Sequence, residues 1–214
     1  MQDLKNLKCL LPRAKSLLLE MVESCPFLDN YVLVGGSALT LRLCHRKSED
    51  LDFFTYEDSF DLKEIFEYIK RFKKKEIINQ TNEQIDLLLD GVKVTFFNAK
   101  WGFLRPSKHD KFHLAILEQI AAMKVNALFL RAKYRDYYDL YFLVKKKLGL
   151  RDIFKASEYI VEGVTYKLFV TALLYIDDIE DNNIDYLEPK EKITKEKIRD
   201  FFEKKLSEEI TDIQ

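Results

Sequence analysis

The sequence predicts an α/β N-terminal half built on a mixed sheet, followed by an all-helical C-terminal half. Two observations carry that expectation. Ahead of Trp101, short apolar runs bounded by turn residues alternate with stretches of helical periodicity. From Leu114 onward only helical periodicity remains, and the low content of Gly (6) and Pro (4) favours long elements and short loops.

Leu7, Leu10, Leu11, Ala14, Leu17, Leu18, Met21 and Val22 recur at helical spacing and predict an amphipathic first helix, stopped by Pro26. Tyr31-Val32-Leu33-Val34 is a short apolar run ending in Gly35-Gly36, the pattern of a buried strand entering a tight turn. Ser37 is placed to cap a following helix, Ala38 to Cys44, through its hydroxyl. His45 to Glu49 reads as a loop, and Asp50 to Phe54 alternates charged and apolar side chains as a strand with one wet face does. Asp61 can open a helix carrying Leu62, Ile65, Phe66, Ile69 and Phe72. Three strands follow, Glu76 to Gln80, Gln84 to Leu89 and Val92 to Phe97, the last two joined by Asp90-Gly91 in a turn that needs positive φ. Helices are then expected over Leu114 to Leu130, Tyr134 to Lys147, Asp152 to Val161, Thr165 to Ile176 and Thr194 to Glu208. The change of character near 100–112 divides the chain into a core over 1–105 and a helical domain over 106–214.

A length of 214 residues suffices for one core domain with an appended half. Its composition, 47% hydrophobic and 33% charged, is that of an ordinary globular protein. A net charge of -1 excludes the overall field of a general nucleic-acid binder, so any RNA contact must rest on a local patch. The run Lys70-Arg71-Phe72-Lys73-Lys74-Lys75 is one such patch, though it reads first as the solvated, favourably charged end of a helix. Cys9, Cys25 and Cys44 lack metal-ligand spacing and are expected as buried thiols in a reducing cytoplasm. No apolar run reaches the roughly 18 residues of a membrane span, and the N-terminal stretch lacks the features of a signal peptide. A cytoplasmic protein without membrane contact is expected.

Chemistry concentrates in Gly35-Gly36-Ser37 and in Asp50-Leu51-Asp52-Phe53-Phe54. Gly36 has no Cβ, so backbone amides and the Ser37 hydroxyl can approach a phosphate, and the following helix adds its positive end. Asp50 and Asp52, two apart on one strand, present both carboxylates on one face. Two hard oxygen ligands beside a phosphate cradle suit Mg²⁺, or Mn²⁺ in its place, carrying a nucleoside triphosphate (NTP). Arg46 and Lys47, in the loop before that strand, are candidates to stabilise charge developing on a leaving pyrophosphate, or else solvated loop cations. His45 is as well explained by packing as by catalysis.

The run VLVGGSALTLRLCHRKSEDLDFF resembles the first motif of the AbiEii/AbiGii-type nucleotidyltransferases, toxins of bacterial abortive-infection and type IV toxin–antitoxin systems in the polymerase-β-like superfamily. The matching residues are Gly35, Gly36, Ala38, Leu39, His45, Arg46, Ser48 and Asp50 to Phe54. A second stretch, AAMKVNALFLRAKYRDYYDLYFLV, carries Lys124, Arg131, Asp136 and Asp139 in a lysine-then-Arg-Asp-x-x-Asp-Leu arrangement, and LLYIDDIE (Leu173 to Glu180) is also similar. The resemblance implies a nucleotidyltransferase core over 1–105 and a helical domain over 106–214 that completes the active site. It implies that Lys124 contacts the triphosphate as a mobile point charge, and that Asp139, with Asp136 as its rival, acts as a catalytic carboxylate. From spacing alone, Asp136 and Asp139 share a helix face and read equally as surface ion pairs with Arg135.

The sequence departs from the superfamily in one place. A third metal carboxylate is usual on a later strand, and the matching position is Val94-Thr95-Phe96, where Thr95 has no charge. Either the helical carboxylate substitutes, which is favoured, or one metal ion alone is held firmly, or Asp86 on the preceding hairpin strand is the missing ligand. The implied activity is Mg²⁺-dependent transfer of a nucleoside monophosphate from an NTP to a tRNA 3′ end or other RNA hydroxyl. Its agent would be a toxin restrained by a cognate antitoxin protein. A small-molecule or protein hydroxyl as acceptor, and a non-catalytic nucleotide-binding module, are the alternatives.

Overall fold

Strands β1 (Tyr31–Val34), β2 (Leu51–Thr55), β3 (Lys75–Gln80), β4 (Gln84–Leu89), β5 (Val92–Asn98) and β6 (His113–Leu114) form one mixed sheet in the order β3-β4-β5-β2-β1-β6. This is a computed structural model, which describes residues 6–106, 110–146, 148–181 and 184–211. The chain divides into two units, Met1–Ala115 and Ile116–Gln214, and the sheet belongs to the first. β2 runs antiparallel to β1 and parallel to β5, β4 is antiparallel to both of its neighbours, and β6 is parallel to β1.

One face of the sheet is apolar because the alternation in its strands makes it so. Phe53, Ile85, Leu87, Val94 and Phe96 are sealed there, and Phe53 stacks on Phe96 at 5.5 Å. Helix α1 (Pro12–Ser24) contributes Ala14, Leu17, Leu18 and Met21 to the core. Helix α3 (Leu62–Ile69) enters through Tyr68, whose ring meets Phe27 at 5.7 Å. Asp61 caps α3 as expected, its Oδ1 accepting from the Lys63 amide at 2.8 Å. Both turn residues of the β4–β5 hairpin have positive φ, Asp90 at 47° and Gly91 at 84°, as a two-residue connection of this twist requires.

Three expectations are corrected in this unit. The first helix begins at Pro12, after a 3-10 turn over Leu7–Cys9, because proline has no amide proton and suits the first helical position. Leu114 lies in β6 and not in a helix: Val32 pairs with His113 and Leu33 with Leu114, a partnership that two residues cannot advertise in sequence. Cys9 and Cys44 form a disulfide, with Cα atoms 5.6 Å apart, so the expectation of three thiols fails. The Leu11 amide donates to the Ser48 carbonyl at 2.9 Å and the Ser48 amide to the Cys9 carbonyl at 3.3 Å. These bonds bring the two cysteine-bearing segments together. Cys25 stays a thiol, which burial pushes up to about 12.

The second unit contains helices α4 (Leu117–Leu130), α5 (Tyr134–Lys145), α6 (Leu150–Ser157), α7 (Tyr166–Leu174) and α8 (Lys195–Thr211), with short 3-10 turns between. α5 is its central element: Tyr137, Tyr138, Leu140 and Leu143 are sealed on it. The tyrosines keep their hydroxyls satisfied, Tyr137 donating to the Ala172 carbonyl at 3.0 Å and Tyr138 to that of Glu191 at 3.2 Å. Thr165 caps α7. The expected end of α5 at Lys147 lies outside the described residues. Among the described residues no helix is long and apolar enough to cross a membrane.

Candidate functional site

β1 ends at Val34 and the chain turns directly into helix α2 (Gly35–Leu43), with Gly35 at a φ of 68°. Val34 pairs with Asp52 on β2. A Cβ on Gly35 would stand 2.8 Å from Asp52 Oδ2, and one on Gly36 would stand 2.7 Å from Arg46 Nη2. The two glycines therefore admit a carboxylate and a guanidinium, beyond any role in bringing backbone to a phosphate.

The helix starts earlier than the pattern suggests, which places Ser37 inside its first turn and corrects its expected role as a cap. The Ser37 side chain is 1% exposed, and its hydroxyl bridges Ser48 Oγ at 2.9 Å and the Asp50 carbonyl. It ties the loop before β2 to the helix. Within that loop His45 and Arg46 are buried, so Arg46 is not a solvated loop cation. Arg46 donates to the Lys47 carbonyl at 2.9 Å, and Thr40 donates to the Arg46 carbonyl at 3.1 Å. Asp52 lies on β2 and Asp50 just ahead of it, since the strand begins at Leu51; both are half-buried.

Register lines up a row of side chains on the Asp52 face. Asp52 pairs with Thr95 on β5, and Thr95 pairs with Asp86 on β4. Thr95 Oγ1 donates to Asp86 Oδ1 at 2.8 Å, while Gln84 Nε2 and Asn79 Nδ2 donate to Asp86 Oδ2 at 2.9 and 3.4 Å. The position beside Asp52 thus belongs to a hydroxyl, and Asp86 sits a further strand away, about 4.8 Å on in the hydrogen-bonding direction. Among the described residues no group of three or more His, Cys, Asp or Glu side chains gathers closely enough to hold a metal ion. Gln84 and Asn79 carried no signal of their own, but their partner was within reach: counting outward from the Asp90-Gly91 turn pairs Asp86 with Thr95.

In the second unit, α4 and α5 bring Lys124, Asp136 and Asp139 into one buried ion network. Lys124 Nζ lies 2.9 Å from Asp136 Oδ1 and 2.6 Å from Asp139 Oδ2, and both carboxylates have 0% exposure. Arg131 binds Asp136 in a fork, Nε to Oδ2 and Nη2 to Oδ1, each at 3.0 Å. Burial opposes the charge on Asp136, but the Lys124 ammonium and the Arg131 guanidinium overcome it and hold the carboxyl at about 2. The expectation of a mobile lysine is corrected, and so is that of surface ion pairs: α5 turns this face into the core, where the charges must pair.

A glycine turn that feeds a helix beside a carboxylate-bearing strand of a mixed sheet agrees with the nucleotidyltransferase fold expected from the sequence. The sequence pattern of the AbiEii family, described as a nucleotidyl transferase toxin of a type IV toxin–antitoxin system, matches residues 17–107 and 111–211. The chain belongs to that family. A protein of Aquifex aeolicus is 31% identical over 195 residues, spanning 89% of this chain and 93% of the relative. The crystal structure of JHP933 from Helicobacter pylori shares the fold, with a TM-score of 0.51 at 20% identity, over 95% of this chain and 97% of that one.

Proposed function

We propose that the protein transfers a nucleoside monophosphate from an NTP to the hydroxyl of an RNA 3′ end, with tRNA as the acceptor, and that this makes it a toxin restrained by a cognate antitoxin. The observation that carries the reading is the seat of Asp52: its carboxylate lies over the side-chain-free Gly35, at the start of α2. A triphosphate drawn to that positive helix end meets the carboxylate strand at once.

Asp50 and Asp52 fit Mg²⁺ as two hard, half-buried carboxylates, with Asp52 lying against Gly35 at the start of α2. When bound there, Mg²⁺ neutralises triphosphate charge and favours attack at the α-phosphorus. Gly35, Gly36 and the α2 amides hold the phosphates, and Arg46, fixed beneath Gly36, lends positive charge toward the departing pyrophosphate. Ser37 acts through the loop it fastens. The acceptor oxygen bonds to the α-phosphorus as the bond to the bridging oxygen breaks, and the hydroxyl proton passes to a carboxylate. Asp136 and Asp139, both of 0% exposure, are held against Lys124 within the second unit, so neither is offered as that carboxylate.

The test is incubation of the protein with each α-labelled NTP, Mg²⁺ and total RNA. Label on tRNA that vanishes in Asp52→Ala is the expected result. Label on protein or on a small molecule overturns the acceptor, and NTP binding without transfer to any acceptor overturns the catalysis. Growth arrest on expression, lost in the same variant, is expected of the toxin.

A further inference from the structure

On the face of the sheet that carries Asp52, the next residue pair is aromatic. Phe54 of β2 pairs with Phe97 of β5, two residues beyond Asp52 and Thr95, and the rings meet edge-on at 5.0 Å. Trp101 closes on both, 5.9 Å from Phe54 and 6.4 Å from Phe97, and Phe103 tilts against Trp101 at 5.9 Å. All four side chains are half-buried, whereas Phe53 and Phe96, on the opposite face of the same strands, are sealed at 0%. Rings that served only as core would be sealed likewise. Contiguous, partly wet rings offer π faces on which a nucleobase can stack.

The surroundings suit a polyanion. Lys93 is exposed on the same face of β5. Lys100, next to Trp101, and Arg105, just beyond Phe103, have side chains 56% and 60% exposed. Their partners, Glu83 and Glu57, form surface pairs that exchange for phosphate at little cost. Position separates this shelf from the donor pocket: Gly35 flanks Asp52 from the β1 side, and the rings lie along β2 and β5. Two residues of strand span about 6.6 Å, comparable to the reach from a stacked base to its own ribose hydroxyls.

We infer that Phe54, Phe97, Trp101 and Phe103 stack the unpaired terminal base of a single-stranded RNA acceptor and so deliver its ribose hydroxyl to Asp52. The inference rests on the transfer reaction proposed above and names how its acceptor is held. The shelf accepts any base, because stacking needs a π face and not a particular hydrogen-bond edge, and it rejects an end that is paired or lacks a base.

Trp101 is the protein's single tryptophan, so its fluorescence reports the shelf directly. The full chain is titrated with a short single-stranded oligoribonucleotide, the same strand ending in an abasic ribose, a blunt duplex, and NTP with Mg²⁺ alone. Quenching by the first strand is expected, with affinity about tenfold weaker for the abasic and blunt ends and no quenching by NTP. Equal affinity for the abasic end, no quenching at all, or quenching by NTP alone would each overturn the assignment. In transfer assays, Trp101→Leu and Phe97→Leu should raise the acceptor KM about tenfold and leave the NTP KM unchanged; an unchanged acceptor KM would count against the shelf. Base-dependent quenching without transfer would sink the reaction and keep the shelf. Transfer indifferent to the terminal base would do the reverse.

Discussion

Replacing Lys124 with methionine would remove the cation that stands between two carboxylates of 0% exposure, 2.9 and 2.6 Å from their oxygens. Methionine keeps most of the apolar stem, so the loss is mainly of charge. Asp136 would retain Arg131, but Asp139 would lose the ammonium that offsets its desolvation. Breaking a buried pair from one side costs about 3–5 kcal/mol, against about 0–1 kcal/mol for an exposed pair. Urea unfolding followed by far-UV circular dichroism reads the helices, while Trp101 fluorescence reports the first unit. At pH 7 the variant should lose stability in the range of a buried pair, and Asp139→Asn added to it should restore part of the loss. A variant within about 0.5 kcal/mol of the parent would refute the clamp, since that is the range of ordinary surface substitutions. Acid gives a second reading. Asp136 binds its proton more weakly in the folded chain, at about 2, than at its usual 3.8. Its contribution is therefore complete above pH 3.8 and is lost as pH falls toward 2, and without Lys124 that loss should begin at higher pH.

Gly35→Ala forces a side chain into a φ of 68° with its Cβ 2.8 Å from Asp52 Oδ2. A loss of about 1–2 kcal/mol is expected, together with weaker Mn²⁺ binding by electron paramagnetic resonance; unchanged Mn²⁺ affinity would show that Asp52 does not depend on this glycine. Reduction of Cys9–Cys44, 35 residues apart in sequence, should remove about 4 kcal/mol on the chain-entropy account. A lower melting temperature in dithiothreitol checks this, with Cys9→Ser/Cys44→Ser expected to melt at the same point whether or not reductant is present. Thr95→Val leaves Asp86 short of its 2.8 Å donor and should cost about 1–3 kcal/mol, whereas Thr95→Ser should cost little; equal losses in urea unfolding would argue against the hydrogen bond.

Local chemistry made much of the first unit legible. Asp61 had to cap a helix and Asp90-Gly91 had to turn a hairpin, because few other conformations satisfy those backbones. The glycine turn and acidic strand were legible as neighbours for the same reason. What escaped is what depends on distant partners. β6 is two residues long and exists through β1, and the Cys9–Cys44 link depends on a bridge between Leu10 and Ser48. The burial of Lys124, Asp136 and Asp139 follows from α5 being enclosed on nearly every side, so its charges give no outward-facing stripe to recognise. The aromatic shelf was hidden differently: Phe54 and Phe97 alternate as core residues do, and only β2–β5 register puts them beside Asp52.

Gly36 and Arg46 answer each other, since the guanidinium occupies the volume that any larger residue at 36 would claim. A larger residue at 36 therefore needs the end of the Arg46 side chain to shift. A lineage that adopts alanine at 36 should shorten or withdraw the arginine, and one that trades the arginine away is released to fill the notch. Steric conflict at this contact predicts coupled sequence change between two stretches of chain that a substitution table would score separately.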